Sequence, residues 1–343
     1  MNQFKLVQSA FAALCIALSV TAIAQVAPTM LEGLLSGVPN SSGVQLAREN
    51  LGAAQRQLAQ LQSDPTTLKA DLLTAQGNLA VASASLTQTV GQERFNLAQA
   101  YFSAVAADRK RRVDLVRQTL LATELSVAQA QVKVGSGTAL AVGQAQVQLA
   151  QVGQDLGVDD VQLSVQQDIL RNLLGVKTLP TLDAKVPASG MIPALTVVRG
   201  AALKLPSVAR AANAVELAKL KLAQSQTEFT AAVQRTAAEQ TLLGAQLDYQ
   251  SQVALALQPA EQGFVNALNT RALLEGSKAN LVAQQNAFKT AEAQERSGTA
   301  SRLQVRTLEV ALKQAEYGEL VARQAACLAW LNLELVAPSG AVK

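Results

Sequence analysis

The chain has 343 residues, enough for one large domain or two ordinary ones. Charged residues make up 16% and aromatics 3%, and there is no histidine, which removes Ser-His and Cys-His catalysis and the common zinc-site patterns. The net charge of +4 is too mild to imply a nucleic-acid partner, and no motif for reading DNA or RNA accompanies it.

Residues 1–24 read as a secretory signal peptide. Lys5 supplies the positive start, Phe11 to Val20 is a short apolar run, and Ala22-Ile23-Ala24 is an A-x-A cleavage site. The run is far short of the ~20 residues that a spanning helix needs. Cys15 would leave with this leader, and the remaining Cys327 makes neither a disulfide nor a cysteine metal cluster. No other stretch is long and apolar enough to span as a helix, so any membrane passage must use strands.

Residues 25–42 carry Pro28, Gly33, Gly37, Pro39 and Asn40 and read as an irregular lead-in. A first repeat covers 43–175. Its opening helix places Leu46, Leu51, Ala54 and Leu58 on one face and stops at Asp64-Pro65. A strand hairpin is expected at 66–90, turning at Gly77-Asn78. Its second strand, 79–90, superposes at an offset of 168 on 247–258, where Leu247, Tyr249, Ser251, Val253, Leu255 and Leu257 alternate with mostly polar residues. The competing reading is one uninterrupted helix through each region. Helices are then expected over 92–134, ~64 Å long at 1.5 Å per residue, and over 140–174, with Gly175 as C-cap.

Residues 176–206, with four prolines, read as a linker. A second repeat over 207–335 follows the same plan: a helix, a strand hairpin over 227–258, and helices over 260–296 and 302–335, before a tail at 336–343. The repeat is clearest at the helical turns. With Gly135 set on Gly298, Leu140 falls on Leu303, Val147 on Val310 and Leu149 on Leu312, a constant offset of 163.

The remaining motifs have bland readings. Arg109-Lys110-Arg111-Arg112, flanked by Asp108 and Asp114, reads as a solvated helix face. Asp155, Asp159 and Asp160 read as solvated charges, since no glycine-turned loop accompanies them. No cofactor, metal site or catalytic residue is expected.

A signal peptide followed by two copies of helix, strand hairpin, long helix, glycine turn and return helix resembles the TolC family of outer-membrane efflux proteins, as a short member. The matching stretches are Gly298-T-A-S-R-L-Q-V-R-T-L-E-V-A-L-K-Q, Leu170-R-N-L-L-Gly175 and V-A-L-A-L-Q-P. The resemblance implies a mainly α homotrimer of long helical hairpins, its strands joined in one twelve-stranded barrel in outer-membrane lipid and its helices forming a periplasmic tunnel. It implies the exit duct of a tripartite efflux or type I secretion system, with an inner-membrane pump and a periplasmic adaptor that grips the helical tips. Those tips are here Gly135, Ser136, Gly137 and Thr138, and Ser297, Gly298, Thr299 and Ala300. Where the family often has an aspartate after the tip glycine, this chain has Ala141 and Gln304. The alternative is a non-conducting structural coiled-coil component of the cell envelope or of a surface-layer complex. A periplasmic adaptor is argued against by the two tandem hairpins.

Overall fold

Long runs of alanine, leucine and glutamine carry high helix propensity, and the fold follows it. The computed structural model describes residues 30–38, 41–179, 182, 183, 185, 190–227 and 230–338; the proposed signal peptide, 1–24, lies outside them. Among the described residues there are eight helices and no strand: α1 (Met30–Gly37), α2 (Ser42–Ser63), α3 (Lys69–Lys133), α4 (Ala139–Leu174), α5 (Leu195–Ala202), α6 (Pro206–Ser225), α7 (Ala232–Arg296) and α8 (Arg302–Val336).

The strand hairpins expected at 66–90 and 227–258 do not form. α3 and α7 are each 65 residues long, about 98 Å at 1.5 Å per residue, and they run unbroken over 69–90 and 232–258 of these regions. The four strands per chain, and with them the twelve-stranded barrel, have no counterpart among the described residues. Burial shows why. Around 247–258 the inward residues include Leu242, Ala245, Tyr249, Val253, Ala256 and Ala260, spaced by three and four, while Leu247 and Leu255 face solvent. Around 79–90 the inward set includes Ala75, Leu79, Ala82, Leu86 and Val90, with the same spacing. The period is that of a helix, not of a strand. Leu, Ala and Gln interleaved with Ser mimic alternation while remaining better helix formers than strand formers. Pro259, expected to precede a helix, sits inside α7, where it removes one backbone hydrogen bond without ending the element.

Lys69 and Lys133 lie 163 residues before Ala232 and Arg296, so the two long helices correspond end to end. α2 and α4 correspond to α6 and α8 at the same offset to within one residue. The 168-residue offset that aligned the expected strands is therefore replaced by 163. The irregular lead-in and the linker also contain short helices. Leu35 and Val38 are buried near α1, and Val198 and Ala201 are buried in α5, again 163 residues on.

Local signals punctuate these helices. Ser41 caps α2, its hydroxyl accepting from the Val44 N–H at 3.3 Å. Past its end, Asp64 accepts from the Thr66 N–H at 2.8 Å and the Thr66 hydroxyl at 2.6 Å, an Asx turn that reverses the chain beside Pro65. Gly175, at φ 65°, caps α4 as expected, with the Val176 N–H reaching back to the Arg171 carbonyl.

α2 and α4 both pack along α3, α6 and α8 both pack along α7, and α3 contacts α6 and α8. The helices thus stand side by side as a curtain, in the order α4, α3, α8, α7 toward the two glycine turns and α2, α3, α6, α7 toward the other end. The core lies at the waist. There Leu31, Val44, Leu97, Tyr101, Phe102 and Leu170 are buried together with Leu331 of α8, and Val198, Ala260 and Leu333 form a second cluster. The linker is strapped to this core. The Tyr101 hydroxyl donates to the Asp183 carbonyl at 2.7 Å and accepts from the Asp183 N–H at 3.0 Å. Gly190 lies so near the Trp330 ring that a Cβ there would come within 2.9 Å of it.

Candidate functional site

Two kinds of surface stand out: the tips of the helical hairpins and the free edges of the curtain. Each tip is the same turn built twice. After α3, Gly135 takes φ 78°, and the Ser136 and Gly137 N–H groups both donate to the Gln131 carbonyl at 2.9 Å. After α7, Gly298 takes φ 76°, and Thr299 and Ala300 donate to the Gln294 carbonyl at 2.9 and 3.2 Å. Left-handed backbone of this kind is cheap only for glycine, which explains the glycine at both places. Thr138 then caps α4 through the Ala141 N–H, and Ser301 caps α8. Gln304, where an aspartate was expected from the resemblance, completes a capping box: it accepts from the Ser301 N–H at 2.8 Å. Gly135, Ser136, Thr138, Ser297, Gly298 and Thr299 are exposed, and Gly137 and Ala300 are half-buried. Lys133 and Arg296 stand in the last turns of α3 and α7, where positive charge suits the helix dipole.

The edges differ from the seam between the repeats. Val147 of α4 is 70% exposed, while its counterpart Val310 in α8 is 7% exposed. Val265 and Leu268 of α7 are 47% and 46% exposed, while their counterparts Phe102 and Val105 in α3 are 2% and 3% exposed. On α4, Leu140, Val147, Val158, Val161, Val165, Ile169 and Leu173 are all exposed and fall on one stripe at helical spacing. On α7, Val233, Leu243, Leu247, Val265 and Leu268 share one face, and Leu255, Leu273 and Val282 are exposed to either side of it. Both outer helices thus present an apolar face that no described residue covers.

The charged runs read as solvated are in part a clasp. Lys110 donates to Asp114 at 3.0 Å and also to Asp159 across the hairpin, and Arg111 pairs with Asp160. Asp159 is only 5% exposed, which corrects its reading as a solvated charge, and its Oδ2 is buried without a partner. Burial raises its carboxyl above the ordinary range; Lys110 pulls it down and Asp114 pushes it up. The sequence signal was available: basic 109–112 and acidic Asp159-Asp160 lie on either side of the Gly135 turn, so an antiparallel hairpin brings them together. Asp155 by contrast accepts only from Gln151, on its own helix.

Nothing here amounts to catalytic machinery. The chain lacks histidine, burial pushes the Cys327 thiol up to about 12, and no three metal-ligating side chains converge among the described residues.

No protein-family model and no curated protein matches the chain. Solved structures do. The outer membrane protein VceC from Vibrio cholerae is 15% identical, with 90% of this chain covering 95% of that one at a TM-score of 0.60. CusC, described in connection with transmembrane channel formation, is 17% identical over 90% and 96% of the two chains at 0.66. The MtrE outer membrane channel of Neisseria gonorrhoeae is 12% identical over 90% and 88% at 0.62. At these identities the likeness establishes the helical fold alone. It identifies neither an adaptor nor a pump. Membership of the TolC family as a barrel-forming channel is not upheld, because the segments expected as barrel strands are helical over 69–90 and 232–258. No described helix is long and apolar enough to cross a membrane. The exit-duct function, the outer-membrane location and the contact with outer-membrane lipid all rested on those strands and are withdrawn with them.

Proposed function

We propose that the chain is a structural subunit of a non-conducting helical assembly in the cell envelope, in which copies pack edge to edge. The observation that supports this is the pair of uncovered apolar stripes on α4 and α7. Within one chain, the long helix of the first repeat packs against α6 and α8 of the second. Repeating that relation once more brings α7 of one copy against α2 and α4 of the next. The contact is head-to-tail, so it closes into a ring if the rotation allows. Three copies, as the resemblance implies, would close it after six repeats. In such an assembly both tips, Gly135–Thr138 and Ser297–Ala300, stand free at one end. We assign to them the contact with a periplasmic partner of the adaptor kind, beyond which an inner-membrane pump would lie.

The test is native mass by analytical ultracentrifugation on the full chain. The wild type should sediment as an oligomer, and Val147→Glu with Val158→Glu, or Val265→Glu with Leu268→Glu, should reduce it to a monomer of unchanged helicity. A wild-type monomer at tens of micromolar would defeat the edge-to-edge reading. Stepwise conductance in planar bilayers would defeat the non-conducting one.

A further inference from the structure

We propose that the groove between α3 and α8 is a binding site for a small monoanion with an apolar body, such as an aryl or alkyl carboxylate or sulfonate. The groove has a volume of about 410 Å³, within the range of small-molecule sites. It is lined on the α3 side by Arg109, Arg112, Val113 and Val116, and on the α8 side by Lys313, Tyr317, Leu320 and Arg323 among others.

Charge within it is unbalanced by one cation. Arg112 is held by Asp108 at 2.9 Å and Lys313 by Glu316 at 2.9 Å, while the Arg323 Nε donates to Glu319 at 3.0 Å. Arg109 is half-buried beside them and has no carboxylate within ion-pair distance among the described residues. A guanidinium offers a planar fork of donors that matches a carboxylate or sulfonate. Next to it Val113 and Leu320 are buried and Val116 and Tyr317 half-buried, which suits an apolar or aromatic body and disfavours a bare, strongly hydrated ion.

Packing does not demand these charges. At the 163-residue offset the counterparts of Arg109 and Arg112 are Ala272 and Glu275, and those of Lys313 and Arg323 are Ala150 and Asp160. A seam built from the same elements in the other order would therefore carry no such basic groove. The site also lies between α3 and α8 within one chain, not on the α4 and α7 edges.

The experiment is isothermal titration of the full chain with naphthalene-2-sulfonate, and with naphthalene-2-sulfonamide as the neutral ligand of like shape. We expect saturable binding of the sulfonate at one site per chain, weakened about tenfold or more for the sulfonamide and in Arg109→Gln, and less in Arg109→Lys, which keeps the charge but loses the fork. Unchanged melting of the variants would show that the loss is local. Val147→Glu should bind as the wild type does, which separates this site from the apolar edge. No saturable binding, several sites per chain, or equal affinity in Arg109→Gln would overturn the proposal.

Discussion

α4 and α8 are the same element in the two repeats, yet they live in different surroundings. α8 lies between α3 and α7 and is covered on two sides; α4 packs along α3 and on no second long helix among the described residues. The sequence at matched positions records the difference only partly. Val147 and Val310 are both valine, one exposed and one buried. Val161 is exposed although its counterpart Gln324 is buried, the reverse of what polarity alone would assign. An element that keeps apolar side chains exposed at positions such as 147 and 161, which its twin buries, is dressed for a neighbour that the described residues do not supply. The comparison teaches that this chain is stabilised as a curtain whose middle is complete and whose edges are not.

The largest expected effect comes from placing one substitution at both matched positions. Val310→Glu buries a carboxylate with no partner in the seam and should cost about 3 kcal/mol or more, enough to lose cooperative melting. Val147→Glu puts the same group in solvent, so the melting of the isolated chain should change by no more than ~0.5 kcal/mol. Thermal unfolding by circular dichroism at low protein concentration reads both. Equal destabilisation by the two would mean that α4 is covered within the chain, and the edge argument would fail.

A smaller effect tests the seam at the other end of the curtain. Gly77 in α3 lies against Asn213 in α6, so close that a Cβ on Gly77 would approach the amide of that side chain to 1.9 Å. Its counterpart in the second repeat is Gln240, exposed on the outer helix α7. Gly77→Ala should therefore destabilise by ~1–2 kcal/mol through overpacking. In an Asn213→Ala background the clash is gone, and the same change should stabilise by up to ~1 kcal/mol, since alanine is the better helix residue. The sign reversal is the diagnostic; a uniform sign in both backgrounds would deny the close approach.

What could be read in advance follows from the range of the interactions involved. The glycine turns were legible because a positive φ at Gly135, Gly175 and Gly298 is a local demand on one residue. The 163-residue repeat was legible at the tips, where the turn chemistry is copied. Residues 79–90 and 247–258 were misread because Leu, Ala, Ser and Gln in alternation satisfy a two-residue and a 3.6-residue period at once. What separates the periods is tertiary: which side of Tyr249 or Leu86 meets a neighbouring helix. The charged clasp was missed for the same reason. Lys110 and Asp159 are 49 residues apart, and each looks solvated until the hairpin is closed. The tips were named from the resemblance, and the edges were not foreseen at all, because exposure of an apolar stripe is a property of the assembled curtain.

The smallest expected effect lies near the end of α8. Glu334 is half-buried there, and burial raises its carboxyl to about 7 against the opposing pull of Arg94. Its counterpart on the open helix, Arg171, pairs instead with Asp168 on its own helix. A carboxyl whose value in the folded chain lies above its ordinary 4.5 binds more protons folded than unfolded between those two limits. Stability must then fall as pH rises through that window and level off above it. Glu334→Gln removes the titrating group but keeps most of its shape. Its melting temperature should match the wild type near pH 4.5 and exceed it by a few degrees near pH 8. Asp159, raised by burial in the α3–α4 hairpin, contributes a slope of the same sign and remains in the variant. The readout is thus the difference between the two pH profiles, not the disappearance of pH dependence. A difference that stays constant from pH 4.5 to 8 would mean that Glu334 titrates alike in the folded and unfolded chains, and that the closed side of the curtain is wetter at this point than its packing indicates.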